Sequence, residues 1–180
     1  MTKMKLIILD RDGVINVDSD NYIRTVDEWI ALPGSIEAIA DLSKAGYSIA
    51  IATNQSGIGR GYYSLETLAA MHQKMLELVK ALGGDIAHIV YCPHLPDDQC
   101  TCRKPLPGML QKILQHYPRD PDAYFIGDSL RDIEAAQAIN MPAVLVKTGK
   151  GQRSLDKGVI GADIPVYDDL LHFSQQLLKR

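Results

Sequence analysis

Cysteine is scarce in this chain. Only three occur in 180 residues, Cys92, Cys100 and Cys102, and they fall within eleven positions. An odd count grouped so tightly argues against a disulfide framework. Long apolar runs are missing too. Stretches such as Leu6-Ile7-Ile8-Leu9 and Val144-Leu145-Val146 fall far short of the ~18 residues of a membrane span. The segment Met1–Leu9 carries lysines but no apolar leader core, and Asp10 interrupts its run. No signal peptide is expected, and a cytoplasmic protein is. Neither sign of charge dominates: 19 basic and 22 acidic residues leave a net charge of −3 and a pI near 5.9. That balance argues against a broad nucleic-acid-binding face. There is no repeat, low-complexity tract or linker. With 46% apolar and 23% charged residues, residues 1–180 suit one domain, which would bury about 70% of its unfolded surface. A monomer acting on a small molecule is expected.

What is present alternates. Lys5–Leu9 reads as a strand. Pro33-Gly34-Ser35 opens a helix carrying Ile36, Ile39, Ala40 and Leu42, and Gly46 closes it. Tyr47–Ala52 reads as the second strand. Ser64 caps a helix to about Leu82, with Leu68, Met71, Met75 and Leu78 on one face. Ile86–Tyr91, Ala123–Ile126 and Ala143–Val146 read as strands. Met109–Tyr117 and Ile133–Ile139 read as helices. Thr148–Gly161 reads as a loop, Ile164–Val166 as a short strand, and a last helix begins near Asp168. Strands alternating with helices predict an α/β fold: a Rossmann-like parallel sheet with helices on both faces. Such sheets bind ligands beyond the carboxyl ends of their strands.

The unusual residues fall at those ends. The first strand runs into Asp10-Arg11-Asp12-Gly13, two carboxylates on one lip. A lone Asp there would be an Asx-turn. The pair after an apolar strand points to a metal-assisted nucleophile. The second strand runs into Thr53-Asn54-Gln55-Ser56-Gly57, whose hydroxyls, amides and backbone N–H groups suit phosphate oxygens. Arg103-Lys104-Pro105 follows the third strand, and Gly127-Asp128-Ser129-Leu130-Arg131-Asp132 the fourth. Asp128 also reads as a helix N-cap, and Asp132 as a dipole-matched residue of the first turn. Together the four ends bring an acidic pair, a hydroxyl, a lysine and a second acidic pair to one edge. Converging carboxylates repel unless a cation lies between them, and hard oxygen ligands select Mg²⁺. This describes phosphoryl transfer with an aspartyl nucleophile.

Taken in order, these four motifs resemble the haloacid-dehalogenase superfamily of phosphatases over nearly the whole chain. The resemblance implies that Asp10 attacks phosphorus and that Asp12 protonates the leaving oxygen and then activates water. It implies Mg²⁺ held by Asp10, the Asp12 carbonyl and Asp128. Thr53 and Lys104 would hold the phosphoryl group, and Asp132 would orient Lys104 or a metal-bound water. Only 43 positions separate Asp10 from Thr53 and 51 separate Thr53 from Lys104, leaving no room for a large cap domain. Selectivity then falls chiefly to loops Asn16–Thr25 and Ser56–Tyr63, together with the segment Cys92–Cys102.

The segment Cys92-Pro93-His94 through Cys100 and Cys102 fits a closed, structural Cys₃His zinc site over residues 92–102. Such a loop gains its order from the metal. Arg103 and Lys104 follow Cys102 directly, so zinc would position two cations. Two groups of the superfamily share such a loop, heptose 1,7-bisphosphate and histidinol-phosphate phosphatases. The tract Thr53–Tyr62 and the run Cys102-Arg103-Lys104-Pro105 resemble the heptose group, and the short His94–Cys100 interval the histidinol group. The heptose resemblance implies removal of the C7 phosphate and a product feeding ADP-heptose and lipopolysaccharide synthesis. It also implies a sugar site of Asp18, Ser19, Asp20, Asn21, Thr53, Asn54, Gln55 and Ser56. Arg60, Arg103 and Lys150 are the candidates for a distal phosphate. His72, His88, His116 and His172 show no partner pattern and are expected on surfaces or helix ends.

Overall fold

In a computed structural model, which describes residues 3–180, β1 (Lys5–Leu9), β2 (Ser48–Asn54), β3 (His88–Cys92), β4 (Asp122–Gly127), β5 (Ala143–Val146) and β6 (Val166–Tyr167) form one sheet. The order is β3-β2-β1-β4-β5-β6, and every pairing is parallel. The crossovers carry α1 (Ser35–Lys44), α2 (Ser56–Gly59), α3 (Leu65–Ala81), α4 (Gly108–Leu114), α5 (Leu130–Gln137) and α6 (Gly151–Asp156), and α7 (Leu170–Leu178) follows β6.

Alternation along β1 explains the two-sided core. Ile7 and Leu9 pack with Ile39, Met71, Met75 and Phe173 from α1, α3 and α7. Leu6 and Ile8 pack with Leu110, Ile113 and Ala136 from α4 and α5. A strand buried on both faces needs the unbroken apolar run that marks β1 in the sequence. The strand order reverses between β1 and β4, which opens the crevice beyond their carboxyl ends. Asp10 continues the ladder there, donating its N–H to the Ile126 carbonyl at 3.0 Å. Across the sheet, Asn54 pairs with Cys92, so the cysteine loop leaves from the same lip. Among the described residues no inserted cap domain interrupts this frame, and no helix is long and apolar enough to cross a membrane.

Several expectations are corrected. On α3 Leu78 is 40% exposed and Val79 is buried instead, because the apolar stripe drifts by one residue after Met75. His72 lies within that stripe, only 7% exposed. Strand β2 runs two residues beyond Ala52, since Thr53 and Asn54 still pair with Tyr91 and Cys92. Loop 148–161 contains α6, the last strand begins at Val166, and the cap of α5 is Ser129, not Asp128.

Candidate active site

The lip of β1 and β4 brings three carboxylates together. Oxygens of Asp10, Asp128 and Asp132 lie within 4.8 Å of one another. Lys104 reaches them from the loop after β3. Its Nζ lies 2.9 Å from Asp10 Oδ1 and 2.7 Å from Asp132 Oδ1, and it donates to the Ala52 carbonyl at 2.9 Å. Asp132 uses its other oxygen to accept from the Asp128 N–H (3.0 Å) and the Ser129 hydroxyl (3.1 Å). Glycine is required beneath it, because a Cβ on Gly127 would fall 2.2 Å from Asp132 Cβ. Gly13 has φ +83°, and a Cβ there would meet the Asp128 carboxylate. The two Asp-Gly and Gly-Asp pairs therefore allow backbone and carboxylate to approach closely.

The charges are unevenly compensated. Burial first, and then the Asp132 carboxylate, push Asp10 up to about 7 against the pull of Lys104. Burial, then Asp10 and Asp132, raise Asp128 well above the usual carboxylate range, while the Lys150 N–H bonded to it at 2.9 Å works the other way. Burial opposes the charge of Lys104, yet Asp10 and Asp132 hold its pKa above that of a free lysine. One ammonium among three buried carboxylates leaves excess negative charge. That donor set fits a hard divalent cation.

Asp12 lies in different surroundings. Its Oδ1 accepts from Arg11 Nη2 (2.8 Å), Arg11 Nε (3.3 Å) and Asn16 Nδ2 (2.9 Å), and its Oδ2 from Gln55 Nε2 (2.9 Å). Burial alone would raise its pKa, but Arg11, Asn16 and Gln55 lower it. Gln55 also donates to Thr53 Oγ1 (2.9 Å) and accepts from the Tyr63 hydroxyl (2.5 Å). Asn54 ties the lip to the lysine loop: its Nδ2 donates to the Lys104 carbonyl, and its Oδ1 accepts from the Lys104 N–H.

Above this floor opens a cleft of about 720 Å³. Asp10, Asp12, Asp18, Ser19, Asp20, Asn54, Gln55, Ser56, Arg60, Arg103, Lys104, Asp128 and Asp132 line it. Two expected residues do not. Thr53 is fully buried beneath Gln55. Asn21 is exposed outside the cleft, where its carbonyl accepts from Arg24 Nε. Tyr22, Arg131, Arg153 and Lys157 also reach the cleft and were not singled out. Burial, Arg131 and Arg60 lower the pKa of Arg103, the sign of guanidinium groups converging on one space. Asp18 and Asp20 face Lys150 (3.8 Å) and Arg153 (3.5 Å).

Beside the cleft, ligand atoms of Cys92, His94, Cys100 and Cys102 lie within 4.8 Å of one another. Cys92 Sγ is 3.8 Å from Cys100 Sγ and 3.1 Å from Cys102 Sγ, and His94 Nδ1 is 3.2 Å from Cys102 Sγ. Thiolates at ~2.3 Å from a tetrahedral metal stand at comparable separations, so the group fits zinc.

This layout is that of a phosphoryl-transferring hydrolase of the haloacid-dehalogenase type, and the comparisons agree. A family model described as HAD-hydrolase-like matches residues 101–173. A Pseudomonas putida protein named D-glycero-beta-D-manno-heptose-1,7-bisphosphate 7-phosphatase is 57% identical over 97% of this chain and 100% of its own length. A Neisseria meningitidis protein of the same name is 48% identical, covering 98% of this chain and 96% of its own. The crystal structure of D,D-heptose 1,7-bisphosphate phosphatase from B. bronchiseptica, complexed with magnesium and phosphate, superposes with a TM-score of 0.93. It is 47% identical and covers 98% of this chain and 99% of that one. The chain belongs to the heptose-1,7-bisphosphate 7-phosphatase family of HAD-like hydrolases.

Proposed function

We propose that this chain is a magnesium-dependent phosphomonoesterase that removes the C7 phosphate of D-glycero-D-manno-heptose 1,7-bisphosphate, with the β anomer preferred. It acts as a single-domain monomer in the cytoplasm, supplying heptose 1-phosphate for ADP-heptose and lipopolysaccharide synthesis. The observation that carries the reading is Lys104 Nζ clamped between Asp10 and Asp132 beneath a cleft edged by Arg60, Arg103, Arg131 and Lys150. One phosphoryl group fits the floor, and a second, distal phosphate finds guanidinium groups at the rim. The β anomer follows the names of the relatives. The short His94–Cys100 interval does not favour histidinol phosphate, because the relatives that span this chain carry the heptose name.

In this reading Asp10 attacks phosphorus and forms an aspartyl-phosphate. Asp12 gives a proton to the departing sugar oxygen, then takes one from the water that hydrolyses the intermediate. A phosphate dianion beside Asp12 favours its protonated form for the first step. Lys104 holds phosphoryl oxygens as charge develops, Arg103 assists from the cleft wall, Asp132 keeps Lys104 aimed, and Thr53, buried outside the cleft lining, supports Gln55 from beneath. Magnesium bound by Asp10, the Asp12 carbonyl and Asp128 would offset the carboxylate charge and polarise the phosphoryl oxygens. Asp18, Ser19, Asp20, Asn54, Gln55 and Ser56 contact the sugar. Cys92, His94, Cys100 and Cys102 would hold zinc, which would stiffen the loop that delivers Arg103 and Lys104.

The test is phosphate release, with and without Mg²⁺, from both anomers of the heptose bisphosphate and from histidinol phosphate. Magnesium-dependent release with a preference of ~100-fold in kcat/KM for the β-heptose is expected, about 2.7 kcal/mol of differential transition-state binding. Preference for histidinol phosphate would overturn the substrate, and magnesium-independent release would overturn the mechanism.

A further inference from the structure

Arg11 is fully buried at the end of β1, where Asp10 and Asp12 on either side of it face the cleft. Its N–H donates to Asp10 Oδ1 at 2.8 Å. Its side chain takes the opposite face of the sheet, the face of Ile7 and Leu9, and meets α3. There Nη1 lies 3.2 Å from His72 Nε2 and 3.8 Å from Met71 Sδ. Burying a guanidinium is costly, and an apolar residue of similar volume would fill such a space at no such cost. The charge points at one target. Nε and Nη2 both bond to Asp12 Oδ1, at 3.3 and 2.8 Å.

The two oxygens of Asp12 are therefore unequal. Oδ1 takes three donors, two from Arg11 and one from Asn16, and has no room for a proton. Oδ2 takes one, from Gln55, and belongs to a residue lining the cleft. A carboxyl group that transfers a proton must present one oxygen to the substrate and keep the other fixed. Arg11 does the fixing. His72, set in the apolar stripe of α3 between Leu68 and Met75, holds Arg11 in turn.

We propose that Arg11 and His72 are positioning residues for proton transfer at Asp12 Oδ2, with α3 as the rigid support. This deepens the proposed mechanism and rests on Asp12 being its general acid. In the first step the bond from Asp10 to phosphorus forms and the bond from phosphorus to the sugar oxygen breaks. The Asp12 Oδ2 proton moves to that departing oxygen. In the second step the bond from the water oxygen to phosphorus forms, the bond from Asp10 to phosphorus breaks to release phosphate, and Oδ2 takes a proton from the attacking water. Loss of Arg11 or His72 lets the carboxyl rotate away from the leaving oxygen without disturbing Asp10.

Leaving-group dependence tests this. A sugar alkoxide needs a proton to depart, whereas p-nitrophenolate does not, and kcat/KM reports the steps up to that departure. Asp12→Asn calibrates the assay by losing far more kcat/KM on the heptose bisphosphate than on p-nitrophenyl phosphate. Equal losses in that variant would reject Asp12 as the acid, separately from any role of Arg11. Arg11→Met is expected to lose ~100-fold on the sugar substrate and ~3-fold on the aryl one, within the range of general acid catalysis. His72→Leu, apolar in an apolar stripe, is expected to fold, with an unchanged Tm. It should lose ~10-fold on the sugar substrate and less than ~2-fold on the aryl one. His72→Gln offers an oxygen to Nη1 and is expected to recover to within ~3-fold of the parent. If Arg11→Met fails to fold, the two His72 variants decide. Equal losses on both substrates, no loss in folded variants, or a glutamine variant no better than leucine would each overturn the proposal.

Discussion

The floor of the cleft and its rim are built by opposite rules. On the floor Asp10, Lys104, Asp128 and Asp132 are buried, and the hydrogen bonds of Lys104 and Asp132 end on named neighbours. At the rim Arg60, Arg131, Arg153 and Lys157 are exposed, long and loosely paired. A buried network has one arrangement, because a misplaced charge in low dielectric is expensive. Exposed cations keep their rotamers and adapt to what arrives. The floor therefore holds the reacting phosphoryl group in one geometry, and the rim reads the rest of the molecule.

The contrast is broken most severely at Lys104. Lys104→Met leaves Asp10 and Asp132 facing each other without an ammonium, and kcat is expected to fall about 10³-fold. Steady-state rates with magnesium in excess check this, and a loss below tenfold would mean that the floor does not depend on its lysine. The cysteine loop joins the two regions, since it carries both Arg103 and Lys104. Cys100→Ser is expected to lose zinc, read by metal analysis, and to reduce turnover by about 10–100-fold, as when a group orienting a site is removed. Zinc-free protein with full turnover would show that the loop positions neither cation. The smallest effect belongs to the rim. Arg60→Ala is expected to raise KM for the bisphosphate about tenfold with kcat nearly unchanged, the scale of one charge-assisted hydrogen bond. The same KM change on a heptose carrying only the C7 phosphate would remove Arg60 from distal-phosphate recognition.

How much of this was legible varies by residue. Asp10 and Asp128 stood out because charged residues at the ends of apolar strands violate local propensity, and Lys104, a loop residue, stood out only beside them as the cation of the same sheet edge. The cysteine cluster stood out by spacing alone. Arg11 did not, although strand alternation places it on the face of Ile7 and Leu9. His72 did not, although it falls four residues after Leu68 and three before Met75, the spacing of a buried helix face. Each was overlooked because a single polar residue in an apolar pattern has no visible partner until the two elements are packed together. Thr53 reads as a cleft residue, yet β2 continues past it and Gln55 covers it. Asn21 reads the same way as Asp20, and the turn of its loop leads it out of the cleft.

The alternation of strands and helices, the four motifs at the strand ends and the Cys-His spacing are local patterns, and sequence alone determined them. Only the tertiary structure decided which of these groups meet. The reversal of strand order at β1 and β4 brings Asp10 and Asp128 together across a separation of 118 positions. Packing of α3 against β1 joins Arg11 to His72. Contacts so far apart in the chain depend on strand order and helix packing, which hydrophobic periodicity leaves open because it records only the face that is buried.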